Sequence, residues 1–372
     1  MLVRERKLVV VSGIYPPDKG GPAHFVSQFS LWVAKKGKSV RVVSLTDSKS
    51  TKSRDDLFEL ELISRNQHIL KRMFKTIQTI TSPLTSRHTI LANGMFLEVL
   101  VASFFPNITI VSKVPGDIVW ERARNNGVTS LNIDDFQGTE SLRMKVFRFF
   151  FSLVLKRSTH VIAPSQHLIQ LIERWGIPQE KILLIRNSVD VSKFHPVVKN
   201  RYSYDVITVC RLVSWKGVDE LIETCADLKL SLAIVGDGPE RKTLENLATR
   251  LSADVTFLGE KPSDEVPELL RSASTFVLNS QYEGSPHALI EAMSSENFVI
   301  ARESTGTSEV IEHLVDGVLV NTHYPLKKAL QLSLSNGERV QEMRKNAREK
   351  VVNEYDCSKL FEQIYSLVLG SN

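Results

Sequence analysis

Thr275-Phe-Val-Leu-Asn-Ser-Gln-Tyr-Glu-Gly-Ser-Pro-His-Ala-Leu-Ile-Glu-Ala-Met293 reads as a buried strand, a polar loop and a helix in immediate succession. Short continuous Val, Ile and Leu runs set between helices mark a parallel sheet covered on both faces. Working outward, runs of the same kind lie at 205–210, 231–235, 255–258, 298–301 and 317–320. An earlier series occupies 7–13, 39–45, 88–92, 108–113, 160–164 and 181–185. A chain of 372 residues exceeds the usual extent of one core, so two series imply two domains. The expected fold is α/β, with two Rossmann-like doubly wound parallel-sheet domains in tandem. Such sheets bind ligands at the carboxyl ends of their strands, hence in the cleft that the two domains face. The expected division is 1–195 and 196–355, with a hinge over 194–204 that carries Pro196 and a polar run at 199–203. A final helix within 356–372 is expected to pack back on the first domain.

Composition narrows the class. A hydrophobic share of 42% with 24% charge is globular rather than disordered or fibrous. Cys210, Cys225 and Cys357 are too few and too scattered for a disulfide framework or a metal site, and read as buried small apolar residues of a reduced compartment. The start, Met1-Leu-Val-Arg-Glu-Arg-Lys7, lacks the apolar core and cleavage site of a signal peptide. No stretch approaches 18 apolar residues. A cytoplasmic protein is therefore expected. Residues 1–195 hold 28 Lys and Arg against 16 Asp and Glu, a balance of +12, and the remainder 19 against 26, a balance of −7. That asymmetry points the first half at something anionic. No nucleic-acid-binding signature accompanies it, so no nucleic acid is expected; an anionic membrane surface or a phosphate-bearing acceptor fits.

Three clusters in the second half carry chemistry. In Val209-Cys-Arg-Leu-Val-Ser-Trp-Lys-Gly217, Arg211 and Lys216 follow a strand. A forked guanidinium and a compact ammonium at a strand's carboxyl end suit a diphosphate; alone, they also read as two surface cations. Ala233-Ile-Val-Gly-Asp-Gly-Pro-Glu240 is a strand and a tight Gly236/Gly238 turn into a helix opened by Pro239, where glycines let backbone amides approach a ligand. In the opening stretch, Glu283 sits in the loop and Glu291 in the helix, and Glu283-Gly284-Ser285-Pro286 lies where free helix amides favour an anion. Two carboxylates beside an anion site make sense if the ligand also carries hydroxyls. The plainer alternative is one capping and one solvated glutamate.

In this order, Arg211-x4-Lys216-Gly, Gly236-Asp-Gly-Pro239, Phe257-Leu-Gly259, Glu283-x7-Glu291 and Gly306-Thr-Ser-Glu-Val-Ile311 resemble the family 4 retaining glycosyltransferases of the GT-B fold. The resemblance covers essentially the whole second half. It implies that Arg211 and Lys216 hold the diphosphate of a nucleotide-sugar donor and that Glu291 bonds the ribose hydroxyls. Glu283 would bond the transferred sugar and help stabilise its positive ring in the transition state. Amides of Ser285, Pro286-His287 and Ala288 would meet phosphates and sugar, and the segment from Leu258 and Gly259 to Lys261 would lie against the base. The family's usual aromatic-Gly-Leu after Glu-Gly is here Ser285-Pro-His-Ala288, a departure at the sugar. Transfer without a divalent metal and without a cofactor is implied. No Asp-x-Asp pair or His/Cys cluster speaks for a metal site.

The first half matches less. A Gly20-Gly21 pair opens a helix after Ser12-Gly-Ile-Tyr-Pro-Pro-Asp-Lys19 and offers amides to a phosphate; by resemblance this loop approaches the donor diphosphate and the acceptor. Where the family often places a histidine after 108–113, the chain reads Lys113-Val-Pro-Gly-Asp117. Asp117 is then either an acceptor partner in the cleft or the cap of the turn before 118–124. Helix 66–81 sets Ile69, Leu70, Met73, Phe74, Ile77 and Ile80 against His68, Lys71, Arg72 and Lys75, and is expected to touch a membrane surface. Helix 143–157 leaves only a strip of Lys145, Arg148, Ser152 and Lys156, and is expected to be buried. The function implied is hexose transfer to a hydroxyl acceptor, a glycan or lipid-linked molecule. A nucleotide-sugar epimerase and a non-catalytic nucleotide-sugar-binding protein stay open as alternatives.

Overall fold

The computed structural model describes residues 7–18, 20–54, 57–82, 87–197, 202–335 and 337–370. The expectations for the first six residues and for part of the hinge, 198–201, lie outside them. The chain forms two compact units: Met1–Ile185 with Phe361–Asn372, and Arg186–Leu360. The divisions therefore fall at 185 and 360, not at the expected 195 and 355.

The first unit contains an eight-stranded sheet. In chain order the strands are β1 (Lys7–Ser12), β2 (Val40–Thr46), β3 (Thr51–Arg54), β4 (Glu59–Ser64), β5 (His88–Ala92), β6 (Ile108–Lys113), β7 (His160–Ala163) and β8 (Ile182–Leu184), and in space β3-β4-β2-β1-β5-β6-β7-β8. All neighbours are parallel except β3 on β4. Helices α1 (Gly21–Lys35), α2 (Ile69–Thr81), α3 (Phe96–Ala102), α4 (Ile118–Asn125), α5 (Ile133–Phe136), α6 (Leu142–Arg157) and α7 (Gln166–Arg174) connect them. Leu-Val-Val-Val in β1 is buried throughout because helices cover both sheet faces. β3 and β4 were not expected: Thr-Lys-Ser-Arg and Glu-Leu-Glu-Leu lack a continuous apolar run; β3 is the sheet edge, which admits a polar strand, and β4 beside it alternates polar and apolar residues.

The second unit holds six strands, all parallel: β9 (Tyr204–Val209), β10 (Leu232–Val235), β11 (Val255–Gly259), β12 (Ala273–Leu278), β13 (Phe298–Arg302) and β14 (Val318–Val320), in spatial order β11-β10-β9-β12-β13-β14. Its helices are α8 (Val218–Leu228), α9 (Arg241–Arg250), α10 (Val266–Arg271), α11 (His287–Ser294), α12 (Thr305–Ser308), α13 (Leu326–Ser335), α14 (Glu338–Glu354) and the start of α15 (Cys357–Leu369). Alternate residues of each strand serve opposite cores: Ile207, Phe276 and Val299 pack under α11 and α14, whereas Val206, Val277 and Ile300 pack under α8 and α13. From Phe361 onward α15 belongs to the first unit, where Phe361 packs edge-on against Phe25, Phe29 and Trp32. All three cysteines are free; Cys225 is buried, while Cys210 and Cys357 are only partly so, which departs from the expected burial.

Candidate functional site

In the second unit β9 and β12 are parallel neighbours, so the segments leaving their carboxyl ends run side by side. The chain leaves β9 through a single turn, Ser214–Lys216, and leaves β12 through the loop that carries Glu283. The Gln281 N–H donates to the Trp215 carbonyl at 2.9 Å. Buried Asn279 Nδ2 donates to the Gly217 carbonyl at 2.8 Å and to Glu220 Oε2 at 3.1 Å. Gly217 takes φ 59°, and a Cβ there would lie 2.6 Å from the Asn279 carbonyl oxygen, so conformation and close approach both demand glycine. These ties bring Lys216 Nζ to 2.5 Å from Glu283 Oε1.

Glu283 is also held from behind. Gly306 lies so close that a Cβ would stand 2.0 Å from the Glu283 carbonyl oxygen. The short helix carrying Gly306 is locked by reciprocal Ser304–Thr307 capping bonds. Arg302 donates to Asn279 Oδ1 at 3.1 Å and pairs with Glu220, bracing the same loop. After Glu283, Ser285 accepts from Asn187 Nδ2 at 3.2 Å, Pro286 occupies the cap position of α11, and no side chain caps that helix. The leading turn of α11, which begins at His287, is the end of a helix where backbone N–H groups and the helix dipole suit an anion. Arg211 follows β9 with an exposed guanidinium that makes no ion pair with any described residue.

Glu291, one helical turn into α11, is half-buried on a helix whose Leu289, Ile290, Ala292 and Met293 are core. Burial pushes its carboxyl up to about 7, opposed by the charge of Lys193. Leu258 is partly buried against the core that α11 and α14 cover, Gly259 accepts from the Gly236 N–H at 2.8 Å, and Lys261 pairs with Glu265 at 3.4 Å. The Gly236/Gly238 turn also has a packing reason for its glycines. A Cβ on Gly236 would stand 1.9 Å from the Cys210 carbonyl oxygen, and one on Gly238 2.2 Å from that of Leu212. These glycines seat the turn backbone-to-backbone on the exit of β9, and so position Arg211.

In the first unit, Gly20 takes φ 134° at the cap of α1 and Gly21 is the first residue of that helix, which no side chain caps. The preceding loop is strapped by Arg65, which the sequence reading passed over. Its guanidinium donates to the Gly13 carbonyl at 2.8 Å, to Asp18 at 2.5 Å and pairs with Asp47 at 3.1 Å. Lys113, also passed over, is buried at the end of β6. Its ammonium sits 4.8 Å from the Phe25 ring centre, and burial lowers it to about 8.

Asp117 is a correction. It is fully buried; Oδ1 accepts from the Val119 and Trp120 N–H groups at 2.9 and 3.2 Å. Arg148 grips both oxygens at 2.7 and 2.6 Å, and Gln137 adds a bond of 3.0 Å to Oδ2. With every direction occupied, Asp117 caps α4 and anchors α6; it is no acceptor partner. Arg148, read as part of a polar strip, is drawn inward by the same pair and by the Trp175 ring at 4.3 Å. Among the described residues no group of three His, Cys, Asp or Glu is placed to hold a metal ion.

Residues 192–350 match the family model of the glycosyl transferases group 1. The chain is 31% identical over 287 residues to the colanic acid biosynthesis glycosyltransferase WcaL of Escherichia coli K12, covering 71% of each protein. It is 24% identical over 248 residues to the N,N'-diacetylbacillosaminyl-diphospho-undecaprenol alpha-1,3-N-acetylgalactosaminyltransferase of Campylobacter jejuni, 62% of this chain and 65% of that one. HepE of Anabaena, solved with UDP and glucose, superposes with a TM-score of 0.75 at 19% identity, over 97% of this chain and 99% of its own. That likeness is one of architecture, and identifies the two parallel-sheet units as those of a GT-B fold.

Proposed function

This chain belongs to the glycosyl transferases of group 1, and on that footing we propose that it is a family 4, retaining, metal-independent hexosyltransferase using a nucleotide-sugar donor. The observation that carries the reading is the 2.5 Å contact between Lys216 and Glu283; it supports assigning the cation to the diphosphate and the carboxylate beside it to the sugar. In the free protein the two neutralise one another. Arrival of a diphosphate gives Lys216 a new anion, leaving Glu283 to accept from sugar hydroxyls and to stabilise the developing positive ring. Arg211 and the leading amides of α11 add to the diphosphate grip, in the role that a divalent cation otherwise takes. Glu291 reaches the ribose hydroxyls from the same helix.

The acceptor hydroxyl attacks from the face that the diphosphate leaves. The bond from the sugar's anomeric carbon to the diphosphate breaks, a bond to the acceptor oxygen forms, and the acceptor proton passes to the departing phosphate oxygen. No side chain is needed as base. WcaL is named for colanic acid synthesis and the Campylobacter relative for an undecaprenol-linked acceptor. We take both as support for a lipid-linked or cell-envelope glycan as acceptor, with the enzyme cytoplasmic and peripheral on the inner face of the membrane. The test is a thermal-shift screen with UDP-, GDP- and ADP-sugars, followed by release of free sugar from whichever binds. A donor that binds only the native state must raise the melting temperature, so no shift with any of them refutes the reading.

A further inference from the structure

Three neighbouring helices of the first unit turn apolar side chains toward water. On α2 the outward residues Ile69, Leu70 and Phe74 are 56%, 68% and 71% exposed, while Thr76, Thr79 and Ile80 are buried beneath. α3 packs between α2 and α6 and presents Leu97, Val101 and then Phe104 in the segment that follows it. On α6, Phe151, Val154 and Leu155 are buried, but Leu142, Val146, Phe149 and Phe150 are exposed, against the expectation that this helix is covered. In the second unit exposed large apolar residues such as Leu251, Val315 and Leu334 fall on separate segments. Adjacent helices with matching outward apolar rows make one patch, and such patches mark interaction surfaces.

The charge on this patch is of one sign. α2 and α6 contain no carboxylate, and Glu98, the single one on α3, is buried. Lys71, Arg143, Lys145, Lys156 and Arg157 are exposed, and the Arg157 guanidinium lies 4.1 Å from the Phe104 ring centre. A second copy docked by two-fold symmetry would set these cations against themselves. An anionic bilayer instead offers acyl chains to the apolar rows and phosphates to the cations.

We propose that the outward face of α2, α3 and α6 docks on an anionic lipid bilayer. The proposal rests on the peripheral position inferred above and assigns it to three helices rather than to α2 alone.

Co-sedimentation of the full chain with vesicles tests it, using phosphatidylcholine alone and phosphatidylcholine mixed with phosphatidylglycerol. Wild type should bind the mixed vesicles about tenfold or more tighter than the neutral ones, and more weakly as salt rises. Phe74→Glu with Phe149→Glu should abolish binding to both, and Lys71→Glu with Lys145→Glu should remove the preference for anionic vesicles. All these side chains are exposed, so unchanged circular dichroism and melting temperature should show intact folds. Wild type left in the supernatant, or the Phe74→Glu/Phe149→Glu variant pelleting like wild type, overturns the proposal. So does a dimer that Phe149→Glu dissociates without any vesicle binding. Donor hydrolysis in vesicle-free buffer separates this from the transferase reading: vesicle binding without hydrolysis removes only the latter, and hydrolysis without vesicle binding only the former.

Discussion

Lys216 and Glu283 are 67 residues apart in the chain, and Lys216 Nζ touches Glu283 Oε1 at 2.5 Å because the strands before them, β9 and β12, are parallel neighbours. Both side chains keep a small opening to solvent, 17% and 14%, so the pair is reachable by a ligand. Lys216→Ala and Glu283→Ala should each lower sugar transfer by about 100-fold or more while the protein stays folded, as circular dichroism should show. Assayed together in one double-mutant cycle, the two losses should fall well short of additive, because both serve one transition state. Near-normal turnover in either variant sinks the assignment.

Gly306→Ala should disturb the same pair from behind. The new Cβ would overlap the Glu283 carbonyl oxygen, so the Glu283 loop must shift. A loss of roughly 1–3 kcal/mol in stability is expected, with a fall in transfer larger than the stability loss explains. Denaturant unfolding and transfer assays on the same preparation decide; unaltered transfer would show that the loop position does not matter.

Glu291 makes a pH prediction. Folding raises its pKa to about 7, so the folded state favours the proton more than the unfolded chain does. Its contribution to stability is then full at low pH and fades as pH climbs through about 7. Glu291→Gln, always neutral, should gain on wild type as pH rises, by on the order of 2 kcal/mol above pH 7. Melting curves at about pH 5 and pH 8 should show the gap widening. The same variant should bind donor more weakly at the higher pH, since an amide replaces the ionised acceptor of ribose hydroxyls. A gap that does not change with pH contradicts the assignment of the shifted group.

Asp117→Ala and Arg148→Ala should behave as breaks in a buried ion pair. Each removes a buried counter-charge inside the first unit, at a cost of about 2–3 kcal/mol, below the usual loss for such a break because Asp117 keeps its backbone and Gln137 bonds and Arg148 keeps Glu140. Scanning calorimetry should show a lowered melting transition, while nucleotide-sugar binding by the second unit should persist. An Asp117→Ala protein with wild-type stability and no transfer would restore the acceptor-partner role that its hydrogen bonds deny it.

Most of the fold was legible as sequence because the central strands are continuous apolar runs. β1, β5, β10 and β12 bury almost every residue, and few other arrangements accept such runs. β3 escaped since an edge strand needs no apolar pattern, and β4 because Glu-Leu-Glu-Leu alternates rather than running apolar. α6 was misjudged for a related reason: Leu142, Val146 and Phe149 look like core at helical spacing, and a periodic stripe does not say whether anything covers it. Arg65 left no signal either, and Gly306 showed itself only as part of a motif with no packing role attached, because each acts on backbone far away in the chain.

The sequence alone was enough to name two doubly wound sheets and to propose which side chains of the second could hold a diphosphate and a sugar. Strand runs and loop-to-helix turns are local patterns, and local patterns are written consecutively. The tertiary structure decided which of those residues meet. Placing β9 beside β12 turned a lysine and a glutamate into a pair, while the Arg148 fork around Asp117 took that carboxylate out of the chemistry. Pairings of this kind follow from strand order and packing, which depend on contacts summed over the whole chain.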